Sequence, residues 1–261
     1  AIAAGSSLSG AVTVTAGSLK LNEPGTLASS VAMSGGVLDA DESSTVSGVL
    51  SHTADIAIDV ATGMTLTYTG AAIDVGANTI TLSGGGSLIS GGVTLDNASS
   101  KLLLNSITLD SVTTSADSLG LDVDLDSTVT SLSVGHITPV SIAPTKTLSG
   151  GVTVTAGSLK LNETGTLASA IAMSGGVLDA DESSTVSGAL TQSGDTTIDV
   201  LTGKTLTYTG TAISVGANTI TLSGGGTLAN TNAFVLDNAD SLLSLAGILT
   251  IGDVDGTTAS N

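Results

Sequence analysis

The chain of 261 residues carries 23 Asp and Glu against five Lys and Arg, and its formal net charge of −18 argues against a nucleic acid partner. No apolar run approaches the ~18 residues of a membrane-spanning helix, so we expect no membrane insertion. Hydrophobic residues make up 41% of the chain and aromatic residues 1%, with no cysteine. This composition excludes a disordered chain and predicts an aliphatic core without disulfides.

The predicted elements are short strands in which apolar and polar residues alternate. They have about 4–6 residues each and are separated by turns rich in Gly and Asn. No stretch shows helical periodicity. In chain order the clearest strands are VTV at 12–14, LKL at 19–21, IDV at 58–60, TLTYT at 65–69, ITL at 80–82 and LDVDLD at 121–126.

A long internal duplication predicts a repeat architecture. Residues 8–50 and 148–190 are nearly identical, and the match continues less closely from 61–88 to 201–228. The first pair of segments differs only at Ala11/Gly151, Pro24/Thr164, Ser30/Ala170, Val31/Ile171 and Val49/Ala189.

Shorter echoes within each copy indicate how the strands are arranged. Similar apolar phrases return roughly every 20 residues, a spacing typical of one coil of a parallel β-solenoid. We therefore predict an all-β parallel solenoid of about 12–13 coils with an internal tandem duplication. Two antiparallel β-sandwich domains are the alternative, because they also contain short alternating strands.

The boundaries of the duplication predict three regions. Residues 1–110 form a first solenoid block, 111–147 an irregular unrepeated joint, and 148–261 a second block. Pro139 and Pro144 lie in the unrepeated segment and are expected to interrupt strand pairing there.

The glycine- and threonine-rich phrases of both copies resemble a known family of repeats. GGVTVTAGSLKLNETGTLAS at 150–169, TLTYTG at 205–210 and GANTITLSGGGTL at 216–228 resemble autotransporter-associated β-strand repeats and filamentous-haemagglutinin-like adhesins. The first copy has the same phrases at 10–29, 65–70 and 76–88. The resemblance implies a right-handed parallel β-helix in a secreted, extended and often adhesive protein, and it implies no catalytic residues.

The residues that usually carry catalysis do not form a recognisable set. His52 is replaced by Gln192 in the second copy, and His136 lies in the unrepeated segment, so neither suggests an acid–base pair. Tyr68 and Tyr208 alternate in phase with apolar residues and are predicted to lie in the core rather than to bind sugars. We therefore expect no enzyme and no cofactor.

Clustered carboxylates suggest a structural calcium site, because hard oxygen ligands close together bind Ca²⁺. The alternative is an acidic surface that keeps the protein soluble and protects strand edges. The candidate ligands are Asp39, Asp41, Glu42, Asp179, Asp181, Glu182, Asp253 and Asp255. Asn97 and Asn162 lie in N-glycosylation sequons, and the sequence leaves their modification open.

Neither end of the sequence predicts a capping helix or a charged plug. The chain begins with Ala1, which suits a processed secreted protein or an excised fragment, and the apolar strand ILTI (248–251) lies near its end. Uncapped solenoid coils stack head to tail, and such a contact does not close. We therefore expect an extracellular or cell-surface structural protein whose copies form a fibre, sheath or adhesive stalk.

Two other functions remain open at this stage. The first alternative is an adhesin that contacts a glycan or host protein through loops, most readily those of 111–147. The second is a polysaccharide-degrading β-helix enzyme, against which the absence of Arg and of paired His counts.

Overall fold

The fold is an all-β parallel solenoid of about 12 turns, which confirms the predicted class and excludes the two β-sandwiches. The computed structural model describes residues 7–8, 10–247, 250–251 and 254–256. Within these residues every element is a strand, and no helix is long and apolar enough to cross a membrane. The chain divides into two compact units, residues 1–130 (unit 1) and 131–261 (unit 2).

Unit 1 contains short strands joined by tight turns, and β18 (Ser127–Val134) spans its boundary with unit 2. Its strands are β1 (Ser7–Leu8), β2 (Val12–Val14), β3 (Ser18–Leu21), β4 (Thr26–Leu27), β5 (Val31–Met33), β6 (Val37–Ala40), β7 (Ser44–Val46), β8 (Leu50–His52), β9 (Ile56–Val60), β10 (Thr65–Tyr68), β11 (Ile73–Asp74), β12 (Thr79–Ser83), β13 (Ser87–Ile89), β14 (Val93–Leu95), β15 (Lys101–Asn105), β16 (Thr108–Thr114) and β17 (Gly120–Leu125).

Unit 2 repeats the same arrangement of strands and turns. Its strands are β19 (Ile137–Ile142), β20 (Thr147–Val154), β21 (Ser158–Leu161), β22 (Thr166–Leu167), β23 (Ala170–Met173), β24 (Val177–Ala180), β25 (Ser184–Val186), β26 (Leu190–Gln192), β27 (Thr196–Val200), β28 (Thr205–Tyr208), β29 (Ile213–Ser214), β30 (Thr219–Ser223), β31 (Thr227–Asn230), β32 (Phe234–Leu236), β33 (Leu242–Ala246), β34 (Thr250–Ile251) and β35 (Val254–Gly256).

Most coils consist of three strands, one on each of three faces, and successive coils pair in parallel. We call these the first, second and third faces; β4, β5 and β6 occupy them in that order. The chain advances 19 residues from Ser18 to its partner Val37 and 24 from Ile56 to Ile80. This matches the predicted spacing of roughly 20 residues per coil.

The core consists of aliphatic rows that run from coil to coil, because alternate side chains of every strand point inward. On the third face of unit 2 the row continues through four successive pairings, and its inner members are almost fully buried. That row is Leu159, Leu178, Ile198, Leu222 and Leu245. Each of the first four side chains is buried by the coil before it and the coil after it.

The unrepeated segment 111–147 consists largely of regular strands, and its longest stretch outside them is residues 115–119. Pro139 does not interrupt the pairing of β19 with β21, where it lies opposite Lys160. The carbonyls of His136 and Val140 accept hydrogen bonds from the N–H groups of Ser158 in β21 and of Asn162 directly after it. The backbone groups of successive residues in a strand point to opposite sides, so the nitrogen of Pro139, which has no hydrogen to donate, points away from β21. Pro144 lies in the turn before β20, as expected for a residue that interrupts pairing.

Among the described residues, the backbone ladder of the second face is interrupted once in each copy, and side chains bridge each interruption. In unit 2, β26 pairs with β23 and β29 pairs with β32, but no ladder joins β26 to β29. Instead the Leu190 N–H donates to the Tyr208 hydroxyl at 3.1 Å, and Gln192 Nε2 donates to the Val215 carbonyl at 2.8 Å. The Tyr208 hydroxyl donates in turn to the Thr211 carbonyl at 2.7 Å.

The first copy bridges the same break with a histidine in place of the glutamine. The Leu50 N–H donates to the Tyr68 hydroxyl at 3.2 Å, and His52 Nε2 lies 2.9 Å from the Asp74 carbonyl. Both tyrosines are buried, which confirms the predicted core position, and their hydroxyls replace the missing backbone partner. Gln192 and His52 are therefore equivalent because each reaches a carbonyl of the next coil.

Replacement of Tyr208 by Phe is expected to destabilise unit 2 by about 1–3 kcal/mol, since the buried Leu190 N–H loses its acceptor. The matched Tyr68→Phe is expected to cost less, because Leu50 is only partly buried and water can satisfy its N–H. Urea denaturation measures both, and amide exchange at Leu190 reports the local opening. Equal losses for the two variants would contradict this account.

Candidate functional site

The first group of predicted calcium ligands surrounds a lysine. Lys20 lies on β3, and its Nζ is 2.7 Å from Asp39 Oδ2 on β6 and 3.1 Å from Asp41 Oδ2 in the following turn. Hydrogen bonds that the ammonium donates to Asp39 and, with a smaller effect, to Asp41 raise the pKa of Lys20. The ammonium therefore occupies the position between these two carboxylates.

The second copy repeats this cluster in a more enclosed setting. Lys160 Nζ lies 2.9 Å from Asp181 Oδ2 and 3.2 Å from Asp179 Oδ2, and 27% of its side chain is exposed against 53% for Lys20. The hydrogen bond with Asp181 makes the largest contribution to raising the pKa of Lys160. The added enclosure is explained by β19, which pairs with β21 in unit 2.

Asp179 has the least favourable electrostatic environment in the cluster. Its Oδ1 is buried without a hydrogen-bond partner, and Asp199 is its ladder neighbour on the next coil. Desolvation by burial raises the pKa of Asp179, and the negative charges of Asp181 and Asp199 raise it further against the opposing effect of Lys160. Burial and the neighbouring carboxylates therefore oppose ionisation of Asp179, whereas Lys160 favours it.

The remaining calcium candidates are less closely grouped. Glu182 Oε2 is 2.6 Å from Lys204 Nζ, whereas the residue of the first copy that is equivalent to Lys204 is Met64. Asp253 and the side chain of Asp255 lie outside the described residues. Within the described part of the chain, no group of three or more His, Asp or Glu side chains is arranged to hold a metal ion. Calcium binding stays a prediction.

Calcium bound at these carboxylates would stabilise the folded chain by mass action, so chelation would lower the melting temperature. Thermal melts followed by circular dichroism in calcium and in EDTA measure this shift. An unchanged melting temperature in EDTA would show that calcium does not stabilise this protein. Lys20 and Lys160 would then be the cations of the two clusters.

Replacement of Asp179 by Asn is expected to stabilise the protein at pH 7 by about 0.5 kcal/mol, or roughly 1–2 °C in melting temperature. A carboxyl group with a raised folded-state pKa costs stability while it is ionised, and that cost disappears as the pH falls through the folded pKa. The gain should therefore shrink as the pH is lowered and wild-type Asp179 takes up a proton.

Asp181→Asn is the matched control, because it removes the closer partner of Lys160 and leaves Asp179 in place. We expect it to lower the melting temperature at pH 7. Melts of both variants at several pH values decide the matter. An Asp179→Asn protein that is less stable at pH 7 than Asp181→Asn would contradict this expectation. It would show that the interaction of Asp179 with Lys160 outweighs the cost of burying its carboxylate.

The two histidines and the two sequon asparagines lie in different surroundings. His52 bridges the ladder break, and His136 is exposed in the turn before β19. Asn97 is exposed, and its Oδ1 accepts a hydrogen bond from the Ser99 N–H at 2.9 Å. Asn162 is half-buried and its Oδ1 is buried without a partner. Glycosylation is therefore sterically easier at Asn97, and its occurrence stays open.

Two strands of identical sequence differ in their pairing and burial, which the sequence did not reveal. The sequence SLKL occurs as β3 and as β21. In unit 2 the strand β21 pairs with β24 on one side and with β19 on the other, and Leu159 is 0% exposed. Among the described residues β3 pairs only with β6, and the corresponding Leu19 is half-buried.

Strand β33 in unit 2 likewise has a single ladder partner among the described residues. Leu245 continues the inward row of Leu222, which is 0% exposed, yet Leu245 is 58% exposed. Among the described residues β33 pairs only with β30. Two strands thus combine an apolar inward row with backbone groups that have no ladder partner among the described residues. We call β3 and β33 the edge strands.

The chain was compared with protein family models, with curated proteins and with solved structures, and no match was found.

Proposed function

We propose that this protein is an extracellular structural protein whose solenoid coils stack end to end into a surface fibre, sheath or adhesive stalk. The observation that carries the proposal is the pair of identical SLKL strands. In unit 2, β19 covers β21 in a parallel register that runs from Ile137 opposite Ser158 to Val140 opposite Leu161. The same sequence in β3 is therefore able to accept a parallel strand on the edge that no described strand pairs with.

Coil stacking requires no special side chains. A docking coil satisfies backbone groups along the edge and buries aliphatic side chains at about 25 cal/mol per Å² of apolar area. Leu19 on β3 and Leu245 on β33 supply such area, since both belong to inward rows and both are incompletely buried. Because the two edges differ, their contact is heterologous and propagates into a filament.

The proposed location rests on the resemblance of 150–169 and its companions to repeats of secreted surface proteins. An acidic exterior with a net charge of −18 also favours solubility of long assemblies outside the cell. An adhesive role belongs to the same proposal as a property of the stalk. Binding through loops of 111–147 receives less support, because the longest stretch without strand in that segment is residues 115–119.

Electron microscopy of the purified chain at micromolar concentration in physiological salt tests the proposal. Wild-type protein should form uniform filaments. Leu245→Asp should abolish them, because a carboxylate would then be buried in the inward row at the junction. Leu242→Asp is the matched control: Leu242 lies on the same strand and is 53% exposed, but it faces outward opposite Thr219.

Filaments that survive Leu242→Asp and disappear with Leu245→Asp would support stacking through β33. Dispersed short particles of wild-type protein, or equal effects of the two variants, would overturn the proposal. Circular dichroism melts check that both variants remain folded.

A further inference from the structure

Over most of unit 2 the charged side chains lie on the third face and in the turns that adjoin it. Between residues 147 and 251, each Asp, Glu or Lys lies in a third-face strand or in a turn directly before or after one. These residues are Lys160, Glu163, Asp179, Asp181, Glu182, Asp195, Asp199, Lys204, Asp237 and Asp240.

The first- and second-face strands over the same range contain none of these residue types. They are β20, β22, β23, β25, β26, β28, β29, β31, β32 and β34. The sequence from 205 to 236 contains no charged residue at all. Between residues 147 and 251 the first and second faces of unit 2 therefore carry no charged residue, although the net charge of the chain is −18. Asp255, on the second-face strand β35, lies beyond this range.

Threonine occupies an outward position on four successive coils of the first face. Thr147 pairs with Thr166, Thr166 with Thr185, and Thr185 with Thr207. All four are half-buried. We call these residues the threonine column. On the second face the neighbouring outward residues include Ala172 and Thr191, which are exposed.

Unit 1 carries a similar column with more apolar surface. Thr26 pairs with Thr45 and Thr45 with Thr67, and the column continues to Ile89, which is 49% exposed. Val49, in the turn before the second-face strand β8, is 64% exposed. Charges do occur on these faces of unit 1, at Asp74 and Asp110. The uncharged surface is therefore most complete in unit 2.

We propose that a second copy of this chain packs side by side on the uncharged faces, with the threonine column of unit 2 in the contact. Two copies with a charge of −18 each repel one another, and the repulsion is weakest where no charged groups oppose each other. A column with one threonine per coil is also self-complementary, because the same rise per coil recurs in both copies.

This lateral contact goes beyond end-to-end stacking and does not depend on it. Stacking uses the edge strands β3 and β33, whereas the lateral contact uses outward side chains of the first and second faces. The two are separated by working with the Leu245→Asp protein, in which stacking is blocked. If wild-type protein forms no filaments, the same test is made on the wild-type chain.

Analytical ultracentrifugation over a series of micromolar concentrations and salt measures the association. Raising the salt from about 20 mM to about 500 mM should strengthen it, because screening weakens the repulsion between the acidic faces and the contact itself contains no ion pairs. Association that weakens over this range, or a monomer at every concentration and salt, would overturn the proposal.

Thr185→Asp should weaken the association at least tenfold by placing a carboxylate in the contact. Thr221→Asp is the matched control, since Thr221 is also an outward, half-buried threonine in mid-strand but lies on the third face between Thr197 and Ser244. Thr185→Asn, which is polar and uncharged, should keep the association.

Loss with Thr185→Asp alone supports the proposed contact. Equal loss with Thr221→Asp, or no loss with Thr185→Asp, assigns the association to another surface and overturns it. Melting curves show whether the three variants are folded to the same extent.

Discussion

Parallel pairing between successive coils is the interaction on which this structure depends. A coil of roughly 20 residues is too small to enclose a core of its own, so its inward side chains are buried only by the coils on either side. Leu222 and Leu245 belong to the same inward row, but only Leu222 has a described coil on both sides, and it is 0% exposed against 58% for Leu245. Neighbours, rather than residue type, decide burial in this fold.

Side chains take over where the backbone ladder stops. At the break on the second face, tyrosine hydroxyls accept backbone N–H groups, and His52 or Gln192 reaches a carbonyl of the next coil. Gly210 completes the site in unit 2, because a Cβ there would lie 2.6 Å from the Tyr208 hydroxyl oxygen and 2.3 Å from the Gly188 carbonyl oxygen. The few aromatic residues of the chain thus include two that compensate for missing backbone pairs.

The charged side chains, the edge strands and the uncharged faces occupy different parts of the surface. Between residues 147 and 251 the acidic and basic side chains lie on the third face and in its adjoining turns, where Lys160 partly compensates Asp179 and Asp181. The edge strands offer apolar rows with backbone groups that have no ladder partner among the described residues, and the uncharged faces offer threonine and alanine. In the proposed assembly, both kinds of surface would contact a second copy through backbone pairing and apolar burial rather than through a specific chemical group.

The sequence by itself determined that the chain is all-β, with a repeat of roughly 20 residues and an aliphatic core, because two-residue alternation and recurring phrases depend only on local order. It also placed Tyr68 and Tyr208 in the core. The tertiary structure decided between a parallel solenoid and two antiparallel sandwiches, because only strand pairing distinguishes them. It also decided which side chains meet across coils. Coils differ in length, from 19 residues between Ser18 and Val37 to 24 between Ile56 and Ile80, so the register cannot be read from spacing. For that reason the sequence did not predict three contacts between coils. They are the lysine between Asp179 and Asp181, the tyrosine bridges and the threonine column.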